Sequence, residues 1–162
     1  MSEDHLDPAN PRLTLAAKLD HLLKIRAKMS PDGKLPYKTL AAEIAAQSGE
    51  SFSGAYVWQL HHGERTNPTL RHLHALARYF EVPVSYFTED EVARQMIEEE
   101  DLARRELDKA MTEAGVSAVY LRGDLAALSP EGKRMAAEMV RQIRKLEQES
   151  KSVPRGPHSA PE

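Results

Sequence analysis

The sequence of 162 residues predicts an all-α chain, with five short helices followed by a helical C-terminal region. Apolar residues recur at intervals of three and four over most of the chain, as the buried stripe of a helix requires. Capping residues, glycines and prolines divide these stripes into helices, and no segment alternates as a strand does. We predict a disordered tail at 1–12, a folded domain at 13–90, a helical region at 91–150 and a disordered tail at 151–162.

The first two helices are indicated by apolar stripes and by the turns that follow them. Helix 1 ends before the turn sequence SPDG, and helix 2 is expected to end at Gly49. Glycine readily adopts the left-handed backbone conformation that stops a helix. The stripe of helix 1 consists of Leu15, Leu19, Leu22, Leu23 and Ile25 or Ala27, and helix 2 is marked by Thr39, Leu40, Ala41, Ile44 and Ala45.

Capping signals and prolines delimit three further helices. Helix 3 is short and lies between Ser53, a typical N-cap residue, and Gly63. Helix 4 begins after Thr69, a second N-cap candidate, and the sequence Val82-Pro83 ends it. Pro83 is well placed to open a short fifth helix. The expected apolar stripe of helix 4 consists of Leu70, Leu73, Leu76, Ala77 and Phe80.

The C-terminal region contains two longer helices with narrow apolar seams. The first is highly charged and is expected to end at Gly115; the second begins at Ser129-Pro130, after a linking segment at 116–121. Neither seam is wide enough to form a core alone, so the helices must pack on each other, on the first half, or on a second copy of the chain. We expect a homodimer interface formed by Val92, Met96, Ala103, Leu107, Met135, Met139, Ile143 and Leu146.

Composition and charge narrow the classes of function. The chain has no cysteine, which excludes disulfides, thiolate metal sites and cysteine nucleophiles. Its start lacks the features of a signal peptide and no apolar run is long enough to span a membrane, so we expect a cytoplasmic protein. The formal net charge is −3, yet residues 21–80 contain eight basic and four acidic side chains, a local net charge of +4. This distribution fits an anionic partner.

Motifs for catalysis or metal binding are missing from the sequence. It has neither a glycine-rich phosphate loop nor the His-Glu helix pair of zinc hydrolases, so we expect no enzyme activity, cofactor or small-molecule ligand. His61 and His62 point apart on a helix, and His72 and His74 lie two residues apart, which is poor geometry for shared metal ligation. We expect these four histidines on the surface or near phosphates.

Helix 2, the following turn and helix 3 have the pattern of a helix-turn-helix. The motif resembles that of the XRE family of phage-repressor-like regulators at six packing positions, which are Leu40, Ala41, Ile44, Phe52, Val57 and Leu60. The sequence GERTNPT at 63–69 and the run from 70 to 83, which closes in VP, are similar to the family's connecting loop and fourth helix. The resemblance covers residues 13–90 and implies a five-helix domain that places helix 3 in the major groove of DNA.

The motif departs from the family's usual spacing in one respect. The stretch from Ala41 to Val57 is longer by about six residues, so helix 2 or the turn is extended and the crossing of the helices in the motif is expected to differ. A lengthened motif followed by the sequence RTNP and a helical C-terminal extension is similar to the nucleoid-associated regulators.

The outward side of helix 3 determines what such a domain reads. The resemblance implies six base-reading positions, which are Ser53, Gly54, Ala55, Trp58, Gln59 and His62. Of these, Gln59 offers an amide suited to adenine, whereas Gly54 and Ala55 have no polar side chain, so the base code is thin. We expect Trp58 to be exposed and Tyr56 to pack inward. Phosphate contacts are expected from Lys34, Lys38, Arg65, Thr66, Asn67, Thr69 and Arg71.

The sequence therefore predicts a transcriptional regulator on the nucleoid that binds double-stranded DNA as a homodimer, with higher-order assembly on DNA as a further option. Two alternatives stay open. The chain is an antitoxin or phage-type repressor with a partner protein, or it is an interaction adaptor that uses the scaffold without DNA. The adaptor stays an alternative because helix 3 offers few polar side chains for reading bases and because acidic residues flank the domain.

Overall fold

The computed structural model describes residues 12–30, 32–115 and 122–152, and the ordered segments in these ranges are all helical. This confirms the all-α prediction for the described part of the chain. The predicted linking segment at 116–121 lies outside the described residues, as do the predicted tails apart from residues 12, 151 and 152. The helices are α1 (Leu15–Lys28), α2 (Tyr37–Ser48), α3 (Gly54–His61), α4 (Leu70–Phe80), α5 (Ser85–Thr88), α6 (Asp90–Glu113), α7 (Arg122–Ala126) and α8 (Pro130–Ser152).

Several helix ends are formed by the residues that the sequence indicates. Ser53, Thr69 and Ser129 each accept a hydrogen bond at the side-chain oxygen from the backbone amide three residues later, at 3.1, 3.3 and 3.1 Å. These bonds satisfy amides that have no partner within the helix. Gly49 ends α2 with a φ of 74°, in the left-handed region. The predicted caps of α3, α4 and α8 and the predicted stop of α2 are confirmed.

Other boundaries differ from the expectations. α2 begins at Tyr37, because Pro36 occupies the N-cap position with the extended backbone that precedes a helix. α5 begins at Ser85, two residues beyond Pro83, whose carbonyl accepts a hydrogen bond from the Tyr86 amide. α7 was not predicted, since its five residues are too few to show a helical period.

The chain divides into two compact units. Unit one comprises residues up to 99 together with 122–127, and unit two comprises 100–121 and 128–162. α6 begins at Asp90, and its first turns, up to Glu99, belong to unit one. Their side chains Ala93, Met96 and Ile97 pack against the core of unit one, which explains why the unit extends past residue 90.

The core of unit one fixes the position of α3. α2 packs against α3 and α4, α1 packs against α3, and α7 lies against α1. Burial of these side chains is the main favourable contribution to folding. Ala41, 2% exposed, is small where α2 meets its neighbours. The fully covered side chains of this core include Leu19, Leu40, Ile44, Val57, Leu60 and Leu76.

The stripe predicted for α4 is correct only in part. Leu70, the first residue of the helix, is 62% exposed and lies outside the core. Tyr79, which the stripe omits, is buried, and its hydroxyl donates a hydrogen bond to the Glu43 carboxylate. The Arg26 guanidinium lies 5.1 Å from the centre of the Tyr79 ring. The spacing of apolar residues does not identify Tyr79 as a core residue, because the residues that contact its hydroxyl and its ring belong to α2 and α1.

A buried ion pair joins the start of α6 to α1. The Lys18 ammonium lies 2.7 Å from the Asp90 carboxylate and donates to the Phe87 carbonyl at 3.1 Å. The Tyr86 hydroxyl donates to the Lys18 carbonyl at 3.0 Å, and the Leu13 amide donates to Asp90 at 3.2 Å. Burial of a charge is tolerated only when the charge is paired and hydrogen-bonded, as it is here. Neither Lys18 nor Asp90 was singled out from the sequence.

The Asp90 carboxylate gives unit one a characteristic response to acid. The hydrogen bond from Lys18 is the main cause that lowers the pKa of Asp90 below its ordinary value of 3.8. Its stabilising contribution is therefore complete above that value and is lost as pH falls through the lower folded-state pKa. We expect the urea midpoint of the wild type to fall more between about pH 5 and about pH 3 than that of Asp90→Asn.

Fluorescence of Trp58, the single tryptophan, measures this transition. The exposed Glu98 at the same end of α6 supplies the control, and Glu98→Gln should follow the wild type. Equal losses of stability on acidification in the wild type and in Asp90→Asn would contradict the role of the ion pair.

Unit two is organised around a second buried ion pair. The Lys133 ammonium of α8 lies 2.6 Å from the Glu100 carboxylate of α6 and donates to the Leu128 carbonyl at 2.8 Å. The Lys133 side chain is 4% exposed and that of Glu100 is 13% exposed. Around this pair α6 and α8 bury mostly small apolar residues, namely Ala103, Leu107, Ala110, Met111 and Ala137.

Candidate nucleic-acid interface

One face of α3 is free of the core and presents a continuous stripe. Ala55, Trp58, Gln59 and His62 follow the spacing i, i+3, i+4 and i+7, which places them on the same side of a helix. Ala55 and His62 are exposed, Trp58 is 39% exposed, and Gln59 is half-buried. The opposite side of the helix contains the fully buried Val57 and Leu60. We call these four outward residues the α3 stripe.

Two further residues predicted to read bases lie at the start of α3. Ser53 is exposed, but its hydroxyl is engaged as the N-cap of the helix. Gly54 faces α2: a Cβ atom there would lie 3.1 Å from the Lys38 backbone nitrogen and 3.2 Å from the Lys38 Cα. Glycine at this position therefore permits the close approach of the first turn of α2. Sequence spacing places Gly54 beside Ala55 but does not reveal which neighbouring helix crosses it.

The longer motif noted in the sequence is visible in the connection between α2 and α3. α2 extends to Ser48 and α3 begins at Gly54, so five residues, 49–53, form the turn. Phe52 lies in this turn and packs its ring 5.7 Å from Tyr56 and 4.9 Å from His72. An apolar anchor thus holds the extended turn against α3 and α4.

The loop after α3 folds back onto the helix and brings Arg65 to its side. The Gln59 carbonyl accepts hydrogen bonds from the Glu64 and Arg65 amides at 2.9 and 3.1 Å. The Arg65 guanidinium lies 5.9 Å from the centre of the Tyr56 ring, and the Tyr56 hydroxyl is 2.9 Å from Nδ1 of His72. Tyr56 packs inward as expected, and burial raises the pKa of its hydroxyl.

The predicted phosphate-binding residues are solvent-exposed, and two of them lie next to α3. The backbone of Lys38 contacts the start of α3 at Gly54, and Arg65 follows its end. Two exposed cationic residues therefore have their backbone beside α3, and the Arg65 guanidinium lies near Tyr56 of its first turn, which suits contact with a polyanion. Arg71 is exposed in the first turn of α4, which Thr69 caps. The remaining exposed residues of this set are Lys34, Thr66 and Asn67.

Of the four histidines expected on the surface or near phosphates, His61 and His72 are half-buried and bonded to other side chains. Nδ1 of His61 is 2.7 Å from the Tyr37 hydroxyl, and its Nε2 donates to Asp20 at 3.1 Å. This chain of bonds links α1, α2 and α3 behind the α3 stripe. His72 bonds to Tyr56, as described above, whereas His62 and His74 are exposed. The sequence does not reveal these hydrogen bonds, because the bonding partners of His61 and His72 are distant in sequence.

Asp20 belongs to the same chain of bonds. The Lys24 ammonium lies 2.6 Å from its carboxylate and is the main cause that lowers the pKa of Asp20. Within the described ranges, no cluster of three or more His, Asp or Glu residues has the arrangement of a metal site. No helix in these ranges is both long and apolar enough to cross a membrane.

The residues predicted to form a dimer interface fall into two groups. On α6, Ala103 and Leu107 are buried within the single chain, and Val92 and Met96 are half-buried. On α8 four apolar side chains face solvent, and we call them the α8 stripe. They are Met135, Met139, Ile143 and Leu146, exposed by 64%, 64%, 55% and 65%.

The chain is similar in sequence to a known nucleoid-associated protein. No protein-family model matches the chain. The nucleoid-associated protein EspR of Mycobacterium tuberculosis, from strains CDC 1551 / Oshkosh and ATCC 25618 / H37Rv, is 38% identical over 88 residues in each case. The match covers 53% of this chain and 64% of each relative, so the chain spans less than two thirds of the length of the proteins that it matches.

Proposed function

We propose that this chain is a nucleoid-associated transcriptional regulator that binds double-stranded DNA in the cytoplasm, with α3 in the major groove. The observation that carries the proposal is the α3 stripe, which is free of the core, with the Lys38 backbone beside the start of α3 and the exposed Arg65 in the loop that folds back onto it. A helix with its neighbours packed behind it and cations beside it fits the width of the major groove. The similarity to EspR over about half the chain supports the same function.

The chemistry of the α3 stripe predicts modest sequence selectivity. The Gln59 amide can bond adenine, which discriminates between bases by about 1–3 kcal/mol. Ala55 offers only a methyl group, which suits apolar contact with thymine. Most of the selectivity must then come from DNA shape and from the use of two half-sites.

Phosphate contacts supply most of the affinity in this proposal. The contributing groups lie in the segment before α2, on α2, on the loop after α3 and at the start of α4. Each phosphate neutralised releases counterions, so log K should fall with log salt by about 0.9 per contact. The residues assigned to these contacts are Lys34, Lys38, Arg65, Thr66, Asn67, Thr69 and Arg71.

The α8 stripe supports a homodimer as the DNA-binding form. Large apolar side chains that are more than half exposed in a row along one helix are typical of a surface that a partner covers. The opposite side of α8 is already occupied, because Lys133 and Ala137 are buried there. We therefore place the homodimer contact on Met135, Met139, Ile143 and Leu146, and a twofold pair of chains supplies the two half-sites.

Substitution of Arg65 is expected to weaken binding without changing its selectivity. Arg65→Ala removes one exposed cation beside α3, so all duplexes should bind about tenfold more weakly, a loss of about 1.4 kcal/mol. The slope of log K against log salt should become shallower by about 0.9 per protomer. Fluorescence anisotropy with a set of labelled duplexes measures both quantities.

Two matched variants complete this experiment. Gln59→Ala should change which duplexes bind best with little change in the salt slope, because it removes a base contact. Arg78→Ala removes an exposed arginine of α4 that the proposal does not assign to DNA, and it should behave as the wild type. Unchanged binding in both Arg65→Ala and Gln59→Ala would exclude α3 as the reading helix. No binding of any duplex by the wild type at low salt would favour the adaptor instead.

A further inference from the structure

His62 is held in a single orientation at the end of the α3 stripe. Its Nδ1 lies 2.9 Å from the Trp58 carbonyl oxygen. A carbonyl only accepts hydrogen bonds, so Nδ1 must carry the proton of the neutral ring and Nε2 must be the nitrogen without one. The ring also stacks on Trp58 with centroids 4.4 Å apart and planes 25° apart. Backbone and indole together fix both the tautomer and the direction of Nε2.

Protonation changes the chemistry of Nε2 without releasing this anchor. In the neutral ring Nε2 accepts a hydrogen bond, and in the charged ring it donates one, while Nδ1 donates to Trp58 in both states. Stacking on an indole also suits the charged ring, since a cation over an aromatic face is attracted by it. His62 is exposed, so Nε2 is open to solvent.

Titratable groups near His62 come from α1, α2, α3 and the loop after α3. The His61 ring lies 5.1 Å away on the same helix and the Tyr37 ring lies 6.3 Å away on α2. Asp20 of α1 is bonded to Nε2 of His61 and so lies behind that ring. In the loop that follows α3, Glu64 is exposed and directs its backbone amide to Gln59.

We propose that His62 is a DNA-contacting residue whose protonated Nε2 donates to an acceptor atom on DNA, so that binding takes up one proton per protomer and strengthens as pH falls. The inference rests on the proposed function, which places the α3 stripe against DNA. The acceptor is a phosphate oxygen or the N7 or O6 atom of guanine, both of which suit a cationic donor. At higher pH the same nitrogen only accepts, so its contact with any of these acceptor atoms is lost.

The test compares pH profiles of DNA affinity. Anisotropy titrations of the full chain with a mixed-sequence duplex span about pH 5.5 to about pH 8, the range in which histidines ordinarily titrate. We expect the wild type to bind about tenfold more tightly per protomer at the acidic end. His62→Gln, which is neutral throughout, should lose this gain. His74→Gln, an exposed histidine of α4, should keep it and so serves as the matched control.

A further variant and a modified duplex test the charge on residue 62 and identify the DNA atom that it contacts. His62→Lys carries a permanent donor, so its affinity near pH 8 should match that of the wild type at acidic pH and should vary little. A duplex with 7-deazaguanine removes the guanine N7 acceptor. Loss of the pH dependence on this duplex assigns the contact to guanine N7, and its retention assigns the contact to guanine O6 or phosphate; both results support the proposal.

The outcomes separate this inference from the proposed function. If the wild type and His62→Gln bind DNA with the same pH dependence, the role of His62 is wrong while DNA binding stands. If the wild type binds no duplex at any pH at low salt, the proposed function fails and the inference fails with it.

Discussion

Replacement of Lys18 with methionine is expected to lower the free energy of unfolding of unit one by about 3 kcal/mol. Methionine fills much of the space of the lysine side chain but cannot pair with Asp90 or donate to the Phe87 carbonyl. Removal of one partner from a buried ion pair leaves the other charge uncompensated. Asp90 is 28% exposed and keeps some contact with water, which places the loss at the lower end of the usual range.

Urea unfolding followed by Trp58 fluorescence measures this loss, because Trp58 lies in unit one. Lys24→Met is a closely matched control: Lys24 is on the same helix and also pairs with an aspartate, but its side chain is 71% exposed. An exposed pair contributes little, so this variant should lose under about 1 kcal/mol. Similar losses in the two variants would show that burial of Lys18 adds nothing to the stability of unit one.

Replacement of Ile143 with glutamate is expected to convert the proposed homodimer into monomers. The α8 stripe would place this side chain in the seam of both chains, where each isoleucine contributes about 2 kcal/mol on burial. A charge in the seam adds a desolvation cost, so the dimer should dissociate about a thousandfold more readily, equivalent to about 4 kcal/mol. Sedimentation across a concentration series measures the dissociation constant. DNA affinity should fall with it, because each monomer engages only one half-site.

Gln148→Glu introduces the same charge at an exposed polar position on α8 and should leave the oligomeric state unchanged. Met139→Glu tests the adjacent position of the stripe and should act as Ile143→Glu does. A wild type that is monomeric at micromolar concentration would refute the homodimer. A dimer that survives both stripe substitutions would place the contact elsewhere on the chain.

Local patterns in the sequence determined most of the scaffold. Most of the apolar residues predicted for α1 and α2 and the caps at Ser53, Thr69 and Ser129 agree with the structure, because they depend on residues within one or two turns of each other. Leu70 was wrongly placed in the core, since a stripe gives the direction of a side chain and not whether a neighbouring helix reaches that far. α7 was not predicted because its five residues are fewer than two helical turns.

The candidate nucleic-acid interface could also be predicted only in part from the sequence. The α3 stripe could be derived from spacing, and Trp58 is outward as the sequence indicated. The close approach of α2 to Gly54, the return of Arg65 to the Gln59 carbonyl and the fixed tautomer of His62 are visible only in the structure. The first two depend on the crossing of helices and the path of a loop, which a sequence period does not specify.

The sequence by itself determined the described helices other than α7, several of their caps and which face of α3 turns away from the core, because helix periodicity and capping are local properties of the chain. Only the tertiary structure decided that Lys18 is a buried partner of Asp90, that His61 and His72 are bonded inside unit one, and that the α8 stripe is left uncovered. Each of these depends on which distant segments meet. Contact between residues far apart in sequence is set by the packing of whole helices, and no local pattern contains that information.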